Sequence, residues 1–156
     1  MTEVPMTAFG KKLLENELDQ LIKVDRESVK QAIAEARELG DLKENAEYSA
    51  AKERQSHVEG RIQELQSKLS RARVVEISNI KGDKIVFGAT VKITDANGKE
   101  ITYQIVGEDE AMTDTSKVSF SSPLGKALIG KEAGDEVIVK APKGDVAYEV
   151  QTVEYR

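Results

Sequence analysis

The chain has 156 residues, of which 33% are charged and 39% belong to the apolar set AVILMFWYC. That is too polar for one large core and fits one or two small domains. A formal net charge of -5, from 23 basic and 28 interleaved acidic side chains, excludes a free-standing basic DNA-binding module, which needs clustered Lys and Arg to neutralise phosphates. Cysteine is absent and His57 is the single histidine, which excludes disulfides, Cys-held zinc, iron–sulfur clusters, thiol nucleophiles and a His-cluster metal site. The N-terminus lacks an apolar signal-peptide core, and no run approaches the roughly 18 apolar residues that span a bilayer. The expectation is a soluble cytoplasmic protein with no membrane contact.

The grammar changes near Ser78 to Asp83. Up to Arg73 the chain is rich in Glu, Lys, Leu, Ala, Gln and Arg, which are good helix formers, and no proline falls between Pro5 and Pro123. A first helix is predicted over Thr7 to Leu39, with Thr7 as N-cap and Leu14, Leu18, Leu21, Ile22, Val29, Ile33 and Ala36 inward. Its register shifts once, near Asp25 and Arg26. Gly40 ends it. A second helix carries Tyr48, Ala51, Gln55, Val58, Ile62, Leu65, Leu69 and Ala72 at alternating spacings of three and four, an a/d seam of the coiled-coil type. The two stretches are of similar length, so they close as an antiparallel hairpin about Leu42 and Lys43. That fold sets Ile22 near Ile62, Leu18 near Leu65 and Leu69, and Ala32 and Ala36 against Ala50 and Ala51 at a slender tip. At 1.5 Å per residue the first helix is roughly 50 Å long.

From Gly82 onward Val, Ile, Thr and Gly dominate, and the pattern predicts an antiparallel β domain with one short helix. Strands are expected at Lys84 to Phe87, Ala89 to Thr94, Ile101 to Val106, Lys117 to Phe120, Val137 to Lys140 and Val146 to Tyr155. Asn97-Gly98 is a hairpin turn signal. Glu108 to Asp114 reads as an acidic loop. Pro123 opens a helix through Ile129, stopped by Gly130. The expected architecture is therefore α+β, with a helical coiled-coil hairpin over residues 1–77 and a globular domain over 82–156.

The chemically distinctive stretch is Gly40-Asp41-Leu42-Lys43-Glu44-Asn45-Ala46-Glu47-Tyr48. Asp41 and Glu44 lie three apart on a tight turn. Hard carboxylate oxygens suit Mg2+, yet two exposed carboxylates hold it poorly alone, so such a tip could complete a two-metal site on a partner and could not constitute one. The structural alternative is that Asp41 caps the second helix and Glu44 complements its dipole. Glu47 reads as a solvated first-turn acid. Arg37 and Lys52 flank the tip on opposite helices, either as solvated charges or as contacts to RNA phosphate. His57 reads as a solvent-edge residue.

Six segments carry a resemblance: Ala32-Ile-Ala-Glu-Ala-Arg37, Gly40 to Tyr48, Glu59-Gly-Arg61, Ile85-Val-Phe-Gly-Ala89, Ile105-Val-Gly-Glu-Asp-Glu110 and Ser121-Ser-Pro-Leu-Gly-Lys-Ala-Leu-Ile-Gly130. Together they span both halves, and the chain resembles the bacterial transcript-cleavage factors of the Gre family. The resemblance implies a hairpin that enters the secondary channel of a backtracked bacterial RNA polymerase and a C-terminal domain, similar to FKBP-type isomerases, that docks at the channel rim. It implies that Asp41 and Glu44 help hold a second Mg2+ shared with the polymerase, weakly or not at all in the free protein. The polymerase's own cleavage of the nascent RNA 3′ end is thereby stimulated, so the chain supplies residues and is no enzyme by itself. Arg37 and Lys52 match positions near the RNA 3′ end, and Ser122 and Pro123 match the docking loop. The bound factor is expected to be monomeric. With 13 Lys and Arg against 15 Asp and Glu in the hairpin half, the branch of that family with the less basic hairpin fits better than the more basic one.

Three other readings stay open. The C-terminal domain could be an active prolyl isomerase, although its few aromatics, Phe87, Tyr103, Phe120, Tyr148 and Tyr155, argue against an aromatic-lined peptide pocket. The chain could bind the polymerase channel without stimulating cleavage. It could also be a coiled-coil adaptor whose tip plays no part in binding.

Overall fold

The structure is a computed structural model that describes residues 2–40, 45–80 and 82–156. Tertiary contacts divide the chain into two units, residues 12–71 with Thr2, and residues 3–11 with 72–156. This division differs from the expected 1–77 and 82–156. Two short strands, β1 (Val4–Thr7) and β2 (Ala72–Val75), pair in parallel and draw both flanks of the hairpin into the globular unit. Neither strand was legible in the sequence. Ala72 in particular is a strand residue and not the last seam position, because the second long helix stops at Ser70 and β-branched Val74 and Val75 favour a pleated backbone. No helix among the described residues is long and apolar enough to cross a membrane.

In the hairpin unit the first helical stretch comprises α1 (Ala8–Gln20), a π turn (Leu21–Asp25) and α2 (Arg26–Arg37), and α3 (Ala46–Ser70) returns. The Arg26 N–H donates to the Leu21 carbonyl, five residues back. The cause lies in the sequence: Leu14, Leu18, Ile22 and Arg26 follow one another at four-residue steps, which overshoot the 3.6-residue period. The π turn takes up the excess residue, which explains the register shift expected near Asp25 and Arg26. Val29, Ile33, Ala51, Val58 and Ile62 form the buried seam, with Leu18, Leu21, Ile22, Ala32 and Tyr48 packed against it. Ala36 and Leu65 are also buried. Of the small residues expected to meet at the tip, Ala50 is exposed and takes no part.

In the globular unit five strands lie in the order β5-β4-β3-β7-β6. They are β3 (Thr90–Thr94), β4 (Glu100–Val106), β5 (Lys117–Ser119), β6 (Glu136–Val139) and β7 (Val146–Glu154), and two short helices, α4 (Glu108–Ala111) and α5 (Pro123–Leu128), connect them. The sheet is mixed rather than wholly antiparallel, since β5 runs parallel to β4. Glu108 to Ala111, expected as loop, makes a helical turn. Its three acids lie at the N-terminal end, where the helix dipole favours them. A second difference concerns Lys84 to Phe87, which is no strand. Its backbone partners lie outside any ladder: the Ile85 N–H donates to Lys131 O at 2.8 Å, Gly130 N–H donates to Ile85 O at 2.8 Å, and the Tyr155 hydroxyl donates to Lys84 O at 2.8 Å and accepts from Val86 N–H at 3.1 Å. The β3–β4 turn is a hairpin as expected, but only Gly98 takes positive φ, at 81°. The Asp95 carboxylate accepts from the Asn97 and Lys99 N–H groups, each at 2.9 Å.

Ile85, Ala89, Val91, Ile93, Ile105, Leu128, Val137 and Val150 form the core of this unit. One buried acid stands apart from it. Glu110 is 4% exposed, accepts from the Thr7 hydroxyl and pairs with Lys117 Nζ at 2.7 Å. The Thr7 oxygen also accepts from Gly10 N–H at 2.9 Å, so Thr7 is the N-cap of α1 as predicted, and the Lys117 ammonium lies 4.3 Å from the centroid of the Phe9 ring. Thr7→Val removes a donor from a buried carboxylate and the cap of α1 together. It is expected to cost about 2–3 kcal/mol in urea unfolding, and a loss below about 0.5 kcal/mol would contradict the role given to Thr7.

Candidate functional site

The candidate tip lies between α2 and α3. Asp41 and Glu44, the expected metal ligands, fall outside the described residues, and the site is described by its flanks. The last turn of α2 tightens to three-residue hydrogen bonds, with Glu38 N–H to Glu35 O at 3.2 Å, Leu39 N–H to Ala36 O at 3.1 Å and Gly40 N–H to Arg37 O at 3.4 Å. Gly40 then takes φ 117°, a left-handed value that suits glycine.

Asn45 caps α3. Its Oδ1 accepts from Tyr48 N–H at 3.0 Å, and its Nδ2 donates to Ala36 O, in the last turn of α2, at 2.6 Å. The cap that was one reading for Asp41 is therefore made by Asn45. Local sequence carries the signal for it, an Asn directly before the first helical residue. Arg37 is exposed, and its guanidinium lies 5.9 Å from the Tyr48 ring centroid, a cation–π contact worth about 0.5–1 kcal/mol at an exposed site. Tyr48 packs on the apolar seam, so one residue of α3 both closes the seam and carries the last side chain of α2. Lys52 is exposed and donates to Gln55 Oε1 at 3.1 Å. That contact holds its ammonium beside α3. His57 is exposed beside Glu53.

Ser122 and Pro123 lie in the globular unit. The Ser122 hydroxyl donates to Ser119 O at 2.7 Å and accepts from Gly125 N–H at 3.0 Å, capping α5, with Pro123 exposed in its first turn. A Cβ on Gly125 would stand 2.1 Å from Ser119 O, so this turn accepts no side chain there. Ser121 donates to Glu108 Oε1 at 2.8 Å. The loop is thus a rigid, hydrogen-bonded corner, with the ring of Pro123 at its surface.

Two arginine–carboxylate forks cross between the helices of the hairpin. Arg26 meets Glu59 with two contacts of 2.9 Å, and Arg61 meets Glu17 at 2.6 and 2.9 Å. The hydrogen bonds they donate to Glu59 and Glu17 hold the guanidiniums of Arg26 and Arg61 above the ordinary arginine value, against the opposing effect of burial. Neither fork was legible in the sequence, because each joins residues 33 or 44 positions apart. Among the described residues, no group of three or more His, Cys, Asp or Glu side chains could hold a metal ion.

Residues 4–74 match the family model described as transcription elongation factor, N-terminal, and residues 79–155 match the one described as transcription elongation factor GreA/GreB, C-terminal. The chain belongs to the GreA/GreB family of transcription elongation factors. It is 54% identical over 157 residues to transcription elongation factor GreA of Thioalkalivibrio sulfidiphilus and 55% identical over 157 residues to that of Alkalilimnicola ehrlichii, covering 99% of both chains in each case. It is 52% identical to GreA of Francisella tularensis subsp. novicida, covering 98% of this chain and 97% of the other. The likeness to the Gre family stated from the six segments is thereby established over both halves. The α+β order of helical hairpin before β domain is established with it.

Hydrogen bonds from Lys68 and then Arg61 hold Glu64 below the ordinary glutamate value. A carboxylate depressed in the folded state contributes stability that is present above the unfolded value and is lost as pH falls through the folded one. Glu64 is half exposed, so solvent screening keeps the contribution below about 1 kcal/mol. Glu64→Gln should therefore lower the melting temperature slightly at pH about 7 and leave it unchanged at pH about 2, where wild type has lost the same charge. An equal loss at both values would show that the side chain acts by packing instead.

Proposed function

We propose that this elongation factor binds bacterial RNA polymerase whose transcript has slid backward and stimulates the polymerase's own cleavage of the RNA 3′ end. Its helical hairpin enters the secondary channel and presents Asp41 and Glu44 to the active site. The observation that carries this reading is that Asn45 caps α3. The structural duty that competes for Asp41 is already filled by a neutral residue, and in the GreA/GreB family a tip carboxylate is then available for chemistry.

The donor set fits Mg2+, since both candidate ligands are hard carboxylate oxygens, and a bound Mg2+ would supply a water made acidic enough to attack the RNA phosphodiester. Asp41 and Glu44 contribute two oxygen donors, and the polymerase contributes the rest. The chain therefore adds residues to a site it does not own, and is no enzyme by itself. Arg37, steadied on Tyr48, and Lys52 supply positive charge toward the RNA phosphates near the 3′ end. Ser122 and Pro123 belong to the surface that docks on the polymerase. Their corner is already ordered before binding, which keeps the entropy cost of docking low. The factor binds as a monomer.

The test uses a stalled polymerase–RNA complex with Mg2+. Asp41→Asn combined with Glu44→Gln keeps shape and hydrogen bonding but removes both charges. The loss of catalytic ligands is expected to cost about 3 kcal/mol, or roughly a hundredfold in cleavage rate, with competition for polymerase unchanged. Cleavage at the wild-type rate would leave only a channel-binding regulator or an adaptor. Ser122→Glu with Pro123→Ala is expected to do the converse: weaker competition for polymerase at unchanged hairpin helicity. Unchanged competition would remove these two residues from the docking surface.

A further inference from the structure

The five-stranded sheet ends at β6, which pairs with β7 on one side only. Alternate residues of an edge strand turn their backbone N–H and C=O groups away from the sheet, where another strand can pair with them. Among the described residues, no backbone group outside β7 hydrogen-bonds to the backbone of residues 136–140. Natural edges are blunted by lysine, proline or a bulge. The strand Glu136-Val-Ile-Val139 carries none of these, and its register with β7 is regular. Ile138 in its middle is 57% exposed and stands opposite Ala147, which is too small to cover it. The charges at the two ends are unsettled. Glu136 faces Glu149 across the ladder, and like charges directly opposite one another destabilise a sheet. Among the described residues, neither Glu136 nor Lys140 forms an ion pair.

We propose that the β6 edge is a self-association surface whose occupant is β6 of a second copy of this chain, paired antiparallel about a two-fold axis at Ile138. The segment Glu136-Val-Ile-Val-Lys140 is complementary to itself in that register. Glu136 of each copy lies opposite Lys140 of the other, Val137 lies opposite Val139, and the two Ile138 side chains meet at the axis. Moving the axis to Val137 or Val139 sets a charge against an apolar side chain, and an in-register parallel pairing sets Glu136 beside Glu136. The antiparallel contact also brings a cation to the acid that Glu149 leaves uncompensated. It is isologous, so each ion pair occurs twice and the assembly closes at two copies. An edge this short buries less than a standard interface, so the dimer is a weak one, formed at high chain concentration. It belongs to the free protein, whereas the factor on the polymerase is a single copy, as proposed above.

Sedimentation velocity of the full chain from about 10 μM to about 1 mM, at low salt, reads the average mass. A β6 dimer raises it from 17.2 kDa toward twice that value, and added salt reduces the rise. Glu136→Lys and Lys140→Glu each set like charges at both ends of the pairing and are expected to weaken association about tenfold or more. Combined in one chain they exchange the signs, and association is expected to return to within about threefold of wild type. Ile138→Lys puts a lysine on the edge and is expected to leave monomer alone. Melting followed by circular dichroism checks that each variant is folded, and rescue by the exchanged pair cannot come from unfolding. Wild type that keeps the monomer mass up to about 1 mM overturns the proposal. So does association at wild-type strength in the single variants, or an exchanged pair that stays monomeric while wild type dimerises.

Discussion

A carboxylate taken out of water has to be met by donors, and in the globular unit that carboxylate is Glu110. Its two oxygens are met by the Thr7 hydroxyl and the Lys117 ammonium. The first of these donors sits 103 positions earlier in the chain. Much follows from satisfying that one group. Thr7 ends β1, caps α1 and donates to Glu110, so one side chain joins the strand, the first helical turn and the buried acid. The β1–β2 pair is only four residues long and two strands wide, too small to be stable on its own. Leaving a buried carboxylate short of one donor costs about 1–3 kcal/mol, so the Thr7 contact adds to what holds this small strand pair in place. The Thr7–Glu110 contact therefore works with the β1–β2 ladder to hold residues 3–11 in the globular unit.

The hairpin unit solves a different problem. A two-helix rod has one interface and buries little apolar surface for its length, so its specificity cannot come from a large core. The seam supplies contact, but a stripe of Leu, Ile, Val and Ala tolerates sliding. The two bidentate forks, Arg26 with Glu59 and Arg61 with Glu17, oppose it, because a planar guanidinium matched to a carboxylate loses both hydrogen bonds when displaced by one turn. They sit on either side of the π turn in sequence. That turn is where the face of the first helical stretch is re-aimed. Single surface ion pairs contribute little to stability. These two act on alignment.

Periodicity made the helices legible, along with the seam from Tyr48 to Leu69, the Thr7 cap, the 97–98 turn and the α5 start at Pro123, since each depends on residues within a few positions of one another. The register shift at Asp25 was visible as four-residue steps, although the π turn that produces it was not. What stayed hidden depends on distance. β1 and β2 lie on opposite sides of the whole hairpin, and no local pattern pairs Val4 with Ala72. Ile85 looks like a strand residue because it is apolar and β-branched, yet its backbone bonds go to the turn after α5. Helical propensity carried the second helix too far, through Ala72, because Ala is neutral to the choice that Val74 and Val75 make. At the candidate site, the acids and the flanking cations were legible as a motif, whereas the part played by Asn45 depends on a carbonyl nine residues earlier.

That last point bears on why the position is an asparagine. Were the cap the whole requirement, Asp or Ser would serve as well. An aspartate at 45 would set a carboxylate oxygen against the Ala36 carbonyl, two acceptors facing each other at the buried end of a seam, and would add a third acid beside Asp41 and Glu44. The amide of Asn45 meets a group at each of the two helix ends and carries no charge.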